Sequence, residues 1–229
     1  MTPALTVNIP GTPPLDLDAA PADEMLRYAV DQFHPRLYVA CSFQKEASVI
    51  LDMLLKIQPD ARFFTIDTGA LFPETLELWS KIEQRYDVKF DVYSAVDFAS
   101  VEVLGAASEA NPWAGAADQC CGEYKVQALT QALAGVDAWV TGLRREQAHT
   151  RAETRKIQWD AKNDRWKVCP LADWTEQQVW DYIAAHDLPY HPLHDQGYGS
   201  IGCTVCTHPG TGREGRWINS DKTECGLHG

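Results

Sequence analysis

Apolar positions recur at helical spacing from residue 22 onward. Met25, Leu26, Ala29, Val30 and Phe33 fall on one face, which predicts an amphipathic helix. The short apolar run Leu37-Tyr38-Val39-Ala40 then predicts a buried strand. The alternation repeats: Ala47, Ile50, Leu51, Leu54 and Leu55 read as a helix, and Arg62–Ile66 as a strand. Pro73 stands where a third helix starts, with Leu76, Trp79, Ile82 and Tyr86 expected on its inner face. Val88–Tyr93 reads as a third strand, residues 97–109 as a helical stretch, Cys120–Ala134 as a helix, and Ala138–Thr141 as a fourth strand. Strand and helix in alternation predict an α/β fold, a doubly wound and mostly parallel sheet covered on both faces. Such sheets bind ligands beyond the carboxyl ends of their strands. The loops after Ala40, Ile66, Tyr93 and Thr141 therefore become the places to look for chemistry.

The outer parts of the chain read differently. Residues 1–21 hold five prolines without a period and read as a flexible arm. Residues 22–195 form the α/β domain. Within it Ile157–Asp160 and Arg165–Cys169 predict a hairpin, and Thr175-Glu176-Gln177-Gln178 is a capping-box pattern that opens a helix. Residues 196–229 are glycine-rich and aperiodic, an expected loop-rich C-terminal segment.

Charge narrows the function. The 229 residues carry 20 basic and 32 acidic side chains, a formal net charge of −12. Non-specific nucleic-acid binding is excluded by that field, and an anionic small molecule needs a local basic patch. No membrane span or signal segment is visible, so a cytoplasmic location is expected, where thiols serve as metal ligands or nucleophiles.

Three loops carry candidate ligand contacts. Cys41-Ser42-Phe43-Gln44-Lys45-Glu46 follows the first strand, and Ser42 and Lys45 could meet a phosphate at the helix start. Asp67-Thr68-Gly69 follows the second strand. It is either a plain turn or one wall of a nucleotide pocket. Arg144, Arg145, Arg151, Arg155 and Lys156 crowd into 13 residues after the fourth strand, and at least one of Arg144, Arg145 and Arg151 is expected to hold an anion.

Seven cysteines divide into roles. Cys120-Cys121 and Cys203-Thr204-Val205-Cys206 make two close pairs 82 residues apart. Adjacent cysteines suit a zinc knuckle poorly but can reach separate irons, so the spacing favours an iron–sulfur group over zinc. Lys125 lies one turn beyond Cys121. Arg213 and Arg216 follow the second pair and could clamp a sulfate or phosphate. Cys225, beside Gly226, is the candidate nucleophile. Cys41 and Cys169 read as small buried hydrophobes. His186, His191, His194 and Asp195 read as a polar loop after a helix, not as ligands.

Together Cys120-Cys121, Cys203–Cys206 and Lys222-Thr223-Glu224-Cys225-Gly226-Leu227-His228 resemble the assimilatory adenylyl-sulfate reductases, the iron–sulfur branch of the phosphoadenylyl-sulfate reductase family. Ser42–Glu46, Ile66–Gly69, Thr141–Arg145 and Pro170–Trp174 support the match, which runs from about residue 24 to the end. The resemblance implies an adenine nucleotide alpha-hydrolase-like fold and a [4Fe-4S] cluster on Cys120, Cys121, Cys203 and Cys206. It implies that Cys225 attacks adenylyl sulfate, that AMP leaves, and that thioredoxin or a glutaredoxin-like reductant then releases sulfite. Lys125, Arg213 and Arg216 match family positions around the sulfate and phosphate. Ser42 and the strand-four arginines match positions around the nucleotide. The chain departs from the family at Ala117, often histidine, and at Tyr124, often basic. Preference for the nucleotide with or without a 3′-phosphate stays open, as does oligomeric state, a homo-oligomer included. An ATP-using sulfur-transfer enzyme of the same fold is the alternative, opposed by the absence of a glycine-rich pyrophosphate loop.

Overall fold

The computed structural model describes residues 17–94, 117–218 and 221–228. The helical stretch expected at 97–109 and residues 1–16 of the expected arm lie outside the described residues. Residues Leu17–Ala19 form a short 3₁₀ turn with Leu17 buried, so the last part of the arm is docked. Asp18 holds it there by accepting from Arg155 Nε at 2.6 Å and from the Lys156 amide at 2.7 Å.

Six strands make one sheet: β1 (Leu37–Ala40), β2 (Arg62–Ile66), β3 (Phe90–Tyr93), β4 (Ala138–Val140), β5 (Ile157–Asp160) and β6 (Arg165–Val168), in the order β3-β2-β1-β4-β6-β5. All neighbours are parallel except the β5–β6 hairpin. The hairpin thus does more than close on itself, because β6 continues the sheet beside β4. The helices are α1 (Ala22–Phe33), α2 (Lys45–Ile57), α3 (Pro73–Tyr86), α4 (Ala117–Cys121), α5 (Gln127–Ala132) and α6 (Glu176–Ala185).

The main core packs α1, α2, α3 and α6 on one face of the sheet through residues such as Met25, Leu26, Ile50, Leu51, Leu54, Phe63, Ile82 and Val179. A smaller cluster on the other side joins Tyr38, Phe64 and Trp139 to Leu129, Ala132 and Leu133 of α5. Helices therefore cover both faces, as a parallel sheet requires. Pro73 occupies the first turn of α3, and Thr175 and Gln178 close the capping box of α6. On α3 the expected inner-face residues Trp79, Ile82 and Tyr86 pack against the core, whereas Leu76 is exposed. Leu78 and Thr75 are buried instead, and Thr75 Oγ1 lies 2.8 Å from Nε2 of the fully buried His191.

The helix expected at Cys120–Ala134 begins three residues earlier and changes pitch. Between α4 and α5 the residues Gly122–Val126 form a π-helical segment. A wide turn of this kind rotates the side chains that follow it and is frequent at functional sites. Here it carries Lys125.

Candidate active site

The strand order reverses around β1, which has β2 on one side and β4 on the other. Loops leaving β1 and β4 therefore diverge, and a crevice opens at their carboxyl ends. An open cleft of about 1130 Å³, the solvent at its mouth included, occupies this place. Its floor is Ala40, Ser42, Thr65, Trp139 and Thr141. Its rim carries the cations Lys125, Arg151, Arg213 and Arg216 together with Cys225. An acidic chain has thus gathered four cations in the cleft that Cys225 lines.

The expected ligand residues separate into those inside this cleft and those outside it. Ser42, Lys125, Arg213, Arg216 and Cys225 line it. Lys45 does not. It is buried, donates to the Gly199 carbonyl at 3.3 Å and pairs with Glu176 at 3.1 Å. Arg144 is also turned away, its Nε 2.9 Å from Glu46 Oε1 and its Nη1 on Glu146 and the Trp174 carbonyl. Arg145 donates to the Thr154 carbonyl at 2.8 Å and pairs at longer range with Asp18. Of the basic run after β4, Arg151 is the member that reaches the cleft. Asp67 and Gly69 form a turn in which Asp67 Oδ1 accepts from the Gly69 amide at 2.8 Å, with Gly69 at φ 69°. That turn presents Thr68 to the cleft and the Ala70 carbonyl to the Thr204 amide at 2.8 Å. It thereby braces the second cysteine pair.

The four paired cysteines come from α4 and from the loop around a 3₁₀ turn at Thr204–Cys206. Thr68 Oγ1 lies 3.2 Å from Cys203 Sγ. The Cys206 thiol hydrogen-bonds to Cys203, and with Lys125 and Thr68 this pulls the Cys203 pKa well below the ordinary thiol value, although burial works against it. Cys206 is displaced upward by the same bond and by burial. Burial, then the neighbouring thiols, pushes Cys120 up to about 11. Arg216 Nη2 approaches Cys206 Sγ at 3.7 Å. Burial disfavours the Lys125 charge, but Cys203, Cys225 and Cys206 more than compensate and raise its pKa. Among the described residues no three His, Cys, Asp or Glu are grouped to hold a single metal ion. Outside the cleft, His194 shares a 2.7 Å hydrogen bond with the Tyr198 carbonyl, and Cys169 is fully buried with its pKa pushed up to about 12.

The tail closes over the cleft. Leu227 packs against the Tyr38–Trp139 cluster, and the His228 ring stacks on Trp139 at 5.5 Å with the planes 6° apart. Burial and the charges of Arg151, Lys167 and Arg213 hold the His228 pKa well below its usual value, so the ring is neutral. Lys162 Nζ donates to the Gly226 carbonyl at 2.5 Å, and Lys222 pairs with Asp118 on α4. Cys225 is half-buried at the cleft wall. Burial and the nearby Arg151 bring the Arg213 pKa down to about 10, which leaves it charged at neutral pH. Arg151 is the member of the expected trio that reaches the cleft, whereas Glu224 and His228 are not among the expected contacts. Their signal is position alone: the immediate neighbourhood of Cys225.

Residues 36–209 match the phosphoadenosine phosphosulfate reductase domain. A protein of Shouchella clausii named adenosine 5′-phosphosulfate reductase is 44% identical over 209 residues, covering 90% of this chain and 86% of that protein. One of the same name from Staphylococcus haemolyticus is 42% identical over 213 residues, with 90% and 86% covered. The crystal structure of a phosphoadenylyl-sulfate reductase from Candida auris, in a phosphate complex, superposes with a TM-score of 0.73 at 31% identity, covering 84% of this chain and 92% of that one.

Proposed function

The chain belongs to the phosphoadenosine phosphosulfate reductase family, and from that premise we propose that it reduces adenylyl sulfate to sulfite and AMP in sulfate assimilation. One observation carries the reading. The Cys225 thiol opens into the same cleft as Lys125, Arg151, Arg213 and Arg216, at the switch point of the sheet.

The chemistry follows from charge. The sulfuryl group of adenylyl sulfate, joined to AMP as a phosphate–sulfate anhydride, carries anionic oxygens that repel an incoming thiolate. Cations fixed in a partly dry cleft neutralise those oxygens before and during attack. Lys125, Arg213 and Arg216 stand where they can do so, while Ser42 and the Thr65–Trp139 floor leave room for the nucleotide. The Cys225 thiolate attacks the sulfur. A sulfur–sulfur bond forms, the bond from sulfur to the AMP oxygen breaks, and AMP departs with the electron pair. A dithiol reductant then supplies two electrons. One thiolate attacks Cys225 Sγ, sulfite leaves, and the second thiol resolves the mixed disulfide. Thioredoxin or a glutaredoxin-like protein fits that requirement in a reducing cytoplasm, where seven unpaired cysteines are at home.

Cys120, Cys121, Cys203 and Cys206 would hold the [4Fe-4S] cluster. The donor set fits it: all four side chains are thiols without a disulfide, and Lys125 and Arg216 face them as counter-charges. When bound, such a cluster supplies fixed charge and ties α4 to the second cysteine loop. Nucleotide preference rests on the relatives' names, and activity on the 3′-phosphorylated nucleotide is the second reading, favoured by the likeness to the Candida auris enzyme.

The test is a mass measurement. Anaerobically purified protein incubated with adenylyl sulfate and no reductant is expected to gain one sulfonate on the peptide containing Cys225, released as sulfite on adding thioredoxin. An adduct elsewhere, or none, overturns the proposal. A second prediction concerns Gly202, where a Cβ would sit 2.3 Å from Arg216 Nη2. A Gly202→Ala variant is expected to push that guanidinium aside and raise KM for adenylyl sulfate about tenfold, the scale of one charge-assisted hydrogen bond. Thermal unfolding should shift little, because a flexible side-chain end gives way rather than backbone. Steady-state kinetics beside a melting curve separate the two effects.

A further inference from the structure

Glu224, immediately before the candidate nucleophile, pairs with two arginines, Arg151 and Arg213. Its Oε1 accepts from Arg151 Nε at 2.7 Å and from Thr150 Oγ1 at 3.2 Å. Its Oε2 accepts from Arg151 Nη2 at 2.6 Å and from Arg213 Nη2 at 3.1 Å. The two-pronged pairing with Arg151 is the strongest geometry available to a carboxylate and a guanidinium. Arg213 also donates to the Thr223 carbonyl at 2.9 Å, one residue further back.

Position decides what this arrangement does. Arg151 stands in the loop after β4, fixed to the body of the domain and almost fully buried. Glu224 stands on the tail. Burial raises the Glu224 pKa, but Arg151 and Arg213 outweigh it, and the carboxyl stays ionised. Arg151 and Arg213 carry like charges, and Arg151, after burial, helps bring the Arg213 pKa down. The single carboxylate therefore holds two like charges beside one another and ties the tail to the domain at the residue next to Cys225. Other contacts, from Leu227, His228 and Lys162, fasten the tail beyond Cys225. Before it the tail is held by two sets of ion pairs, Lys222 on Asp118 of α4 and Glu224 on Arg151 and Arg213, and Glu224 is the one adjoining Cys225.

We propose that Glu224 is a positioning residue: its carboxylate, clamped by Arg151 and Arg213, latches the tail so that the Cys225 thiol is held in the cleft. This rests on Cys225 being the nucleophile of the proposed reaction. Arg151 and Arg213 also line the ligand cleft, whereas Glu224 does not, so a change at Glu224 bears first on the position of Cys225.

The test reads the latch without turnover. Holoprotein, purified anaerobically, is treated with iodoacetamide in the absence of nucleotide, and labelling of the Cys225 peptide is followed by mass spectrometry. Glu224→Ala is expected to raise the labelling rate about tenfold, the scale expected for loss of a charged hydrogen-bond pair. Glu224→Gln, which keeps the shape and loses the charge, should fall between it and the native protein. The charge-exchanged double variant Glu224→Arg with Arg151→Glu should restore most of the protection, which a merely misfolded tail would not. In single-turnover sulfonation Glu224→Ala should lose rate about tenfold while AMP affinity stays within about threefold. Native-like labelling in Glu224→Ala overturns the latch, and so does exposure that the exchanged pair leaves unrepaired. Failure of the functional reading looks different: the native protein would gain no sulfonate from adenylyl sulfate, whatever the variants' labelling rates.

Discussion

A Cys225→Ser variant is expected to lose sulfite release by about a thousandfold or more, because a serine hydroxyl is far less acidic than a thiol and offers almost no anion at neutral pH. The replacement is close to isosteric, so the cleft keeps its shape. AMP affinity should remain within about threefold of native, the mark of a residue that acts in the chemical step and not in ground-state binding. One other thiol could confuse the outcome. Cys41 follows β1 and lines the same cleft. It cannot replace Cys225. It is 5% exposed, and burial pushes its pKa up to about 12, so it stays protonated and unreactive at any working pH. Cys41→Ala should therefore leave sulfite release within about threefold of native, since a small buried hydrophobe is replaced by a smaller one. Turnover assays of the two variants with thioredoxin, beside AMP titrations, check the contrast. Substantial release from Cys225→Ser, or its collapse in Cys41→Ala, places the nucleophile elsewhere.

Local patterns in the chain and distant contacts in the fold were not equally legible. The parallel sheet could be read because each strand is a short apolar run between amphipathic helices, and Leu37–Ala40 or Arg62–Ile66 need no partner to declare themselves. The docking of β6 beside β4 could not, since a hairpin pattern fixes the pairing of its own strands and says nothing about the third. On α3 a periodic count places Trp79, Ile82 and Tyr86 correctly against the core but does not tell the exposed Leu76 from the buried Leu78. Nor does it show that Thr75 is buried against His191, 116 positions away. The arginines after β4 show the same limit at the site. Arg144, Arg145 and Arg151 are equivalent as letters. Glu46, 98 positions distant, takes Arg144 out of the cleft, and the Thr154 carbonyl and Asp18 take Arg145. Lys45 was expected at a phosphate on the strength of its helix-start position, yet Gly199 and Glu176 claim it. The expectations for the cysteine pairs and the tail thiol rest on type and spacing, and the fold adds that Cys225 lines the cleft.

The pair that removes Arg144 from the cleft also supports the strongest stability prediction. Arg144 and Glu46 have side chains 3% and 6% exposed, and their Nε–Oε1 distance is 2.9 Å. Burial alone would raise the Glu46 pKa, but Lys45 and Arg144 hold it below the usual carboxylate range, so the group is ionised at neutral pH. Glu46→Ala strands the Arg144 guanidinium with its half-exposed partner Glu146 and the Trp174 carbonyl. Breaking a buried pair by deleting one member costs about 3–5 kcal/mol, because the remaining charge cannot regain its water. Chemical denaturation of Glu46→Ala is expected to show a loss of that size. A leucine at both positions should recover much of it, since an apolar pair of similar volume leaves no charge stranded. The sign of the pH effect follows from the depressed pKa. Glu46 contributes fully above its unfolded value, about 4.3, and the contribution is lost as pH falls through the lower folded value. Stability of the native protein should therefore fall more steeply on acidification than that of Glu46→Ala, and the two curves should converge at low pH. A deficit under about 1 kcal/mol, typical of exposed pairs, would show that Glu46 is not what keeps the Arg144 guanidinium satisfied in its buried position.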